Sequence, residues 1–343
     1  MRNGCRECSN FNNMPYLSTP LLNTIPPSPN WQGTPVDDRG RFRNIEHPYI
    51  TTLLEVLKWQ LQKNPFKQQK RTRYQPAIST DLSWLSNEQD CIVWLGHCTF
   101  YIRLHKTVFL TDPVFGNILF NKRVSPFPLD PQLLKGIHYL LLSHDHRDHC
   151  DKQSLGTVFA NNPQIQVLTG LHMDALLKGW GQNIHMQTAG WYQQYQTKES
   201  SPAVYFVPTR HWAKRGAFDT NKRLWGGFVI KSEQTSIYFG GDSGYNGHYK
   251  LASQTFGPFS YALLGIGAYE PEWFMHVNHQ SPTDALQAFK DLQASRLIPM
   301  HYGTFDLSDE PLYYPVQQLQ QAAQTNGLTA AMLIPALCQP VYL

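Results

Sequence analysis

The run Ser143-His144-Asp145-His146-Arg147-Asp148-His149 follows directly on the apolar stretch Tyr139-Leu-Leu-Leu142. From 144 to 149 it holds three imidazoles and two carboxylates in six residues. On a strand or helix the backbone period would scatter these groups over opposite faces, whereas a loop at the end of a strand can turn them towards one point. Neutral imidazole nitrogens and carboxylate oxygens suit Zn2+, and the lack of cysteine among them points to a catalytic rather than a closed structural site. Iron and manganese accept the same donors. The alternative, a solvated polar loop, fits poorly with an HxHxDH pattern set behind a buried strand.

Working outward, β-rich runs precede the loop at 91–95, 99–104 and 108–111, and the run 138–143 is so uniformly apolar that it reads as a strand buried on both faces. A helix is expected to begin near Asp151. Further strands are predicted at 166–169, 203–208, 227–231, 236–239 and 261–266, with helices at 172–178 and 282–293. The second helix has Ser281 as N-cap, Pro282 at its first position and Asp284 near its positive end. With no internal repeat, this order predicts an α/β fold of mixed sheets and helices.

With 343 residues, 41% of them apolar and 16% charged, the chain can bury a large core. A formal charge of +4 is too small to argue for wrapping nucleic acid. Apolar runs fall far short of the ~20 residues a membrane-spanning helix needs, and the first thirty residues lack the apolar stretch of a secretory signal. The expected setting is therefore cytoplasmic. Six scattered cysteines suggest reduced thiols, and Cys5-x-x-Cys8 is a lone pair in a loose terminus.

Residues 1–48 are rich in proline and read as an irregular N-terminal extension, with a catalytic domain over 49–343. Its opening segment, 49–75, combines an apolar helical face (Ile50, Leu53, Leu54, Val56, Leu57, Trp59, Leu61) with the basic residues Lys63, Lys67, Lys70, Arg71 and Arg73. Two readings stand: a helix packed on the domain with a solvated tail, or a surface element that meets anionic lipid as a peripheral membrane contact. The oligomeric state is left open, a homodimer included.

HxHxDH resembles the signature of the metallo-β-lactamase superfamily, and later stations recur in the family's order: His211 in Pro208-Thr-Arg-His-Trp, Asp242 in Phe239-Gly-Gly-Asp-Ser-Gly-Tyr245, and His301 in Pro299-Met-His-Tyr-Gly-Thr-Phe305. Each follows an apolar strand. From about Arg41 to Leu312 the chain is more narrowly similar to the N-acylphosphatidylethanolamine-hydrolysing phospholipase D family. Trp94-Leu-Gly-His-Cys-Thr99, Leu110-Thr-Asp-Pro-Val-Phe115, His211-Trp-Ala-Lys-Arg215, Leu224-Trp-Gly226 and Gly265-Ile-Gly-Ala-Tyr-Glu-Pro-Glu-Trp-Phe-Met275 carry that likeness. Cys98, where the family more often has alanine, and Arg147 depart from it.

The resemblance implies an αβ/βα four-layer sandwich, two sheets back to back with helices on the outer faces. It implies two zinc ions per chain, one on His144, His146 and His211, the other on Asp148, His149 and His301, with Asp242 bridging. Water held there would be nucleophilic at neutral pH, because a single zinc can lower its pKa to ~7. Asp242, His279 and His97 are the catalytic candidates, His279 for the leaving group and His97 as a buttress of the metal loop. Asp145 is a candidate to fix the imidazole tautomers, with a solvated role as the alternative. The implied reaction cleaves an N-acylated ethanolamine phospholipid to N-acylethanolamine and phosphatidic acid. The alternatives are a lactone or sugar-phosphate lactone hydrolase of the same superfamily and a non-catalytic zinc-binding protein.

Overall fold

The computed structural model describes residues 15–46, 51–181 and 184–343. Cys5, Cys8 and Ile50 lie outside them. Two sheets of seven strands each dominate. The first runs Pro340–Tyr342, Cys91–Gly96, Thr99–Leu104, Thr107–Thr111, Tyr139–Leu142, Gln166–Gly170 and His185–Ala189. Its strands are antiparallel as far as Thr107–Thr111 and parallel from there on. The second runs Arg296–Met300, Tyr261–Gly265, Ser236–Phe239, Gly227–Lys231, Ala203–Val207, Gln193–Gln194 and Asn23–Thr24. There the first three strands are parallel and the rest antiparallel.

The alternation of side chains explains the uniformly apolar strands. Tyr139 and Leu141 face the large core shared with the second sheet, while Leu140 and Leu142 face a separate core beneath the helix Lys152–Asn161. Ile92 and Trp94 divide from Val93 and Leu95 in the same way. A strand buried on both faces has no position where a polar side chain would be favourable. Phe100 meets Phe239 across the sandwich at 6.4 Å between ring centroids. The helices His248–Phe256, Pro282–Asp291 and Tyr314–Thr325 lay Tyr249, Leu286, Phe289 and Leu319 on the same core.

Residues 15–46 contain three two-residue strands, and Asn23–Thr24 becomes the edge of the second sheet by pairing with Gln193–Gln194. The helix that follows spans Leu53–Leu61 and starts at a capping box between Thr52 and Glu55. Trp59 stacks on Phe274 and donates to Asp309 Oδ1, whereas Leu54 (78%) and Leu61 (85%) point to solvent. Among the described residues, no helix is long and apolar enough to cross a membrane.

Candidate metal centre

Five parallel strands deliver their carboxyl ends to one edge of the sandwich, the usual place for a site in sheets of this kind. Tyr139–Leu142 leads into the loop 143–149, Thr107–Thr111 into Asp112, and Ser236–Phe239 into Asp242. Arg296–Met300 leads into His301, and Tyr261–Gly265 into the close-packed Gly267. The antiparallel strand Ala203–Val207 adds His211 from the same side. His301 is held at φ 60°, and a Cβ on Gly267 would stand 2.1 Å from its carbonyl oxygen, so only glycine fits there.

His144, His146, His211 and Asp242 form one cluster with all ligand atoms within 4.8 Å of one another; His97, Asp148, His149 and His301 form a second. Asp242 lies between them, its Oδ2 3.2 Å from His149 Nε2 and 3.7 Å from His211 Nε2, its Oδ1 3.2 Å from His301 Nε2. Asp148 Oδ2 is 3.5 Å from His149 Nε2 and 3.6 Å from His301 Nε2. His279 borders the cluster, its side chain 18% exposed and Nδ1 3.8 Å from Asp242 Oδ2. His97 is buried behind Asp148, with Nε2 3.0 Å from Oδ2.

The partners on the far side of the rings fix which nitrogen faces inward. Ser143 Oγ donates to Asp112 Oδ2, so it accepts from His144 Nδ1–H at 2.9 Å. His149 Nδ1–H donates to the same carboxylate at 2.9 Å, and His211 Nδ1–H donates to the Asn278 carbonyl at 3.0 Å. Each ring thereby turns Nε2 inward, where the neutral tautomer would offer it to a cation, and His211 Nε2 also lies 3.1 Å from His146 Nδ1. His144 Nε2, His149 Nε2, His301 Nε2 and Asp242 Oδ1 are buried and have no hydrogen-bond partner. His149 Nε2 and His301 Nε2 stand at ion-pair distance from Asp242 instead, and buried polar atoms without hydrogen bonds that converge on one small volume fit a cation.

Sequence reasoning missed Asp112, Ser143 and Asn278. An acid placed between an apolar strand and Pro113 was the one available signal, and it does not reveal a partner 37 residues away. Asp145 does not serve the imidazoles: its carboxylate accepts from Arg223 Nε at 2.6 Å and from the Lys214 amide at 2.9 Å. A buried acid beside HxH is instead matched by an arginine from the 211–223 loop, and Arg215 adds bonds to the Asp145 and Cys150 carbonyls at 2.9 and 2.7 Å. The metal loop is thus clamped from outside by the segment that begins with His211-Trp-Ala-Lys-Arg215.

Charge is balanced within the cluster. Burial works against an ionised His149, yet the carboxylates of Asp242 and Asp148 outweigh it and hold that imidazole well above its ordinary value. The same contest lifts His301 to about 9. Burial also opposes the charge on Asp148 and Asp242, but the neighbouring imidazoles keep both well below the usual carboxylate range. Burial and the crowd of other histidines push His144 well below its usual value; burial likewise depresses His211, over the opposing pull of Asp242. Burial takes His279 down to about 4, and burial with His301 takes His97 to about 3. The buried carboxylates lower the cost of bringing a divalent cation out of water.

Comparison with known proteins agrees with this geometry. A family model for the β-lactamase superfamily domain matches residues 107–302. The chain is 31% identical over 233 residues to N-acyl-phosphatidylethanolamine-hydrolyzing phospholipase D 1 of Caenorhabditis elegans, a match covering 64% of this chain and 65% of the worm protein. It is 29% identical over 255 residues to the mitochondrial enzyme of that name from Saccharomyces cerevisiae, covering 71% of this chain and 54% of the yeast protein. The matched region therefore spans less than two thirds of either relative. Among solved structures, isothiocyanate hydrolase from Delia radicum gut bacteria superposes with a TM-score of 0.60 at 17% identity, over 74% of this chain and 99% of that one, a likeness of fold. Since the family model takes in more than half of the sequence, including the loop and strand ends that build the cluster, the chain belongs to the metallo-β-lactamase superfamily.

Proposed function

We propose that this chain, a metal-dependent hydrolase of the metallo-β-lactamase superfamily, uses two zinc ions to hydrolyse a phosphodiester, with N-acylated ethanolamine phospholipids as its substrate class. The observation that carries the reading is the set of unpartnered, inward-facing donors on His144, His149, His301 and Asp242. His144, His146 and His211 would hold one ion, Asp148, His149 and His301 the other, and Asp242 both. When bound, the ions would neutralise phosphoryl oxygens and lower the pKa of water to the neutral range. The substrate class rests on the worm and yeast relatives, whose names state that activity for those proteins.

The chain's own residues supply orientation. Asp112, Ser143 and Asn278 keep three imidazoles in the tautomer a cation needs. His97 acts as a positioning residue, steadying the Asp148 carboxylate from behind. His279, partly buried, 3.8 Å from Asp242 and held below its ordinary range by burial, is the group suited to hydrogen-bond the leaving oxygen. Trp59, Phe274 and Trp273 pack together where the helix Leu53–Leu61 meets residues 272–275, and Lys58 lies 4.2 Å from the Trp273 ring centre. The exposed Leu54, Leu57 and Leu61 on the same helix would enter the interfacial layer of a membrane.

The test compares wild type with His144→Ala on vesicles of N-acylated phosphatidylethanolamine, alongside a lactone panel. Release of N-acylethanolamine by wild type alone is expected. Equal release by both proteins would remove the metal role assigned to His144. Turnover of lactones with no cleavage of the phospholipid would replace the substrate class.

A further inference from the structure

Cys98 occupies the turn between the strands Cys91–Gly96 and Thr99–Leu104, directly after His97. Its side chain is fully buried, and its sulfur lies within 4.8 Å of ligand atoms on both His149 and Asp242. The thiol joins a constellation in which His149 Nε2 and Asp242 Oδ1 are themselves buried and make no hydrogen bond. His149 is pinned from its other nitrogen by Asp112, and Asp242 has contacts with His149, His211 and His301, so neither is free to turn away. The position of Cys98 is set by the backbone: the Cys98 carbonyl accepts from Thr111 Oγ1 at 2.6 Å, and His97 before it is held by Thr304.

We propose that Cys98 is a sulfur ligand of the centre, joining His149 and Asp242 on a thiophilic divalent cation. The inference rests on the metal reading above and deepens it, since a thiolate changes which ions the site retains. Thiolate favours zinc, cobalt and cadmium over manganese and magnesium, which prefer oxygen. On binding, the S–H bond breaks, a sulfur–metal bond forms and the proton passes to solvent. Cys98 therefore adds one released proton to those displaced from the histidines.

The experiment uses the full chain in a Cys5→Ser, Cys8→Ser background, so that the terminal pair cannot contribute thiolates. Loaded with cobalt, this protein should show a sulfur-to-cobalt charge-transfer band that disappears in Cys98→Ala, while the ligand-field bands of cobalt on the remaining donors persist. Cadmium titration followed by pH-stat should release one proton more per chain than the Cys98→Ala protein does. The preference for cadmium over manganese should fall by about tenfold or more, the scale expected when a group that tunes a metal site is lost. Cys98→Ser, which keeps the size of the side chain, should lose the band as well. A cobalt protein without the band, but with cobalt binding that still requires His144, would overturn the role of Cys98 and leave the centre standing. Absence of any His144-dependent cobalt binding would overturn both.

Discussion

Asp112→Asn is the substitution that separates a metal centre held by oriented imidazoles from a mere cluster of polar groups. The native carboxylate is fully buried and accepts from the Ser143 amide at 2.8 Å through Oδ1, and from Ser143 Oγ–H and His149 Nδ1–H through Oδ2. The amide keeps shape and can keep the Oδ1 bond. Its NH2 group, however, now faces two donors where it should accept. Ser143 can rotate its hydroxyl, but His149 must move its proton to Nε2 to avoid the clash, and that closes the inward-facing lone pair. Losing a hydrogen bond to a charged group costs about 1.5–3 kcal/mol, and disturbing a partner behind a metal-bound histidine weakens binding ~10- to 100-fold, which at 1.4 kcal/mol per decade is ~1.4–2.8 kcal/mol. Competition against a chromophoric chelator measures the affinity, and far-ultraviolet circular dichroism checks that the protein is folded. A folded Asp112→Asn protein with wild-type zinc affinity would refute the orientation argument.

Three further outcomes follow from the same geometry. Ser143→Ala removes the acceptor for His144 Nδ1–H, and zinc affinity should fall by about tenfold with little change in secondary structure; an unchanged chelator titration would contradict it. Asp145→Ala leaves the Arg223 guanidinium, itself half-buried, with Asp219 alone and should destabilise the chain by about 3 kcal/mol, read from the urea midpoint. Replacing Leu54, Leu57 and Leu61 together by serine should reduce flotation with anionic vesicles yet shift stability by no more than about 0.5 kcal/mol for each site, because these side chains are exposed; undiminished flotation would remove the helix from the membrane contact.

Much of this molecule was legible in the sequence because its strands are short, apolar and followed by chemistry. The predicted runs at 227–231 and 236–239 coincide with Gly227–Lys231 and Ser236–Phe239, and the N-cap of Pro282–Asp291 is Ser281 as expected. Asp151 caps the helix Lys152–Asn161 through the Ser154 amide. The strand His185–Ala189 was not foreseen, since it is an edge strand with mixed exposure and a weak apolar pattern. The helices His248–Phe256 and Tyr314–Thr325 were also missed: neither has a side-chain N-cap, and few apolar residues mark the buried face of either.

The centre divides in the same way. Residues that stand in a dense motif or at a recognisable strand end, His144 to His149, His211, Asp242 and His301, could be named in advance because their type and order are local information. Asp112 and Asn278 could not, since their role lies in a hydrogen bond to a ring 37 and 67 residues away in the chain, and an aspartate or a backbone carbonyl carries no mark of such a partner. Asp145 stood between fixing the imidazoles and a solvated role, because sequence proximity to HxH does not tell which way a loop side chain turns; it takes neither. Its carboxylate points outward to Arg223, which is visible only once the 211–223 loop is folded against it.

Anomalous X-ray scattering at the zinc edge, from crystals grown with zinc, addresses the central claim most directly. Two peaks are predicted, one among His144, His146 and His211 and one among Asp148, His149 and His301, with Asp242 between them. No peak within this ring of side chains, or zinc found only elsewhere on the chain, would contradict the account.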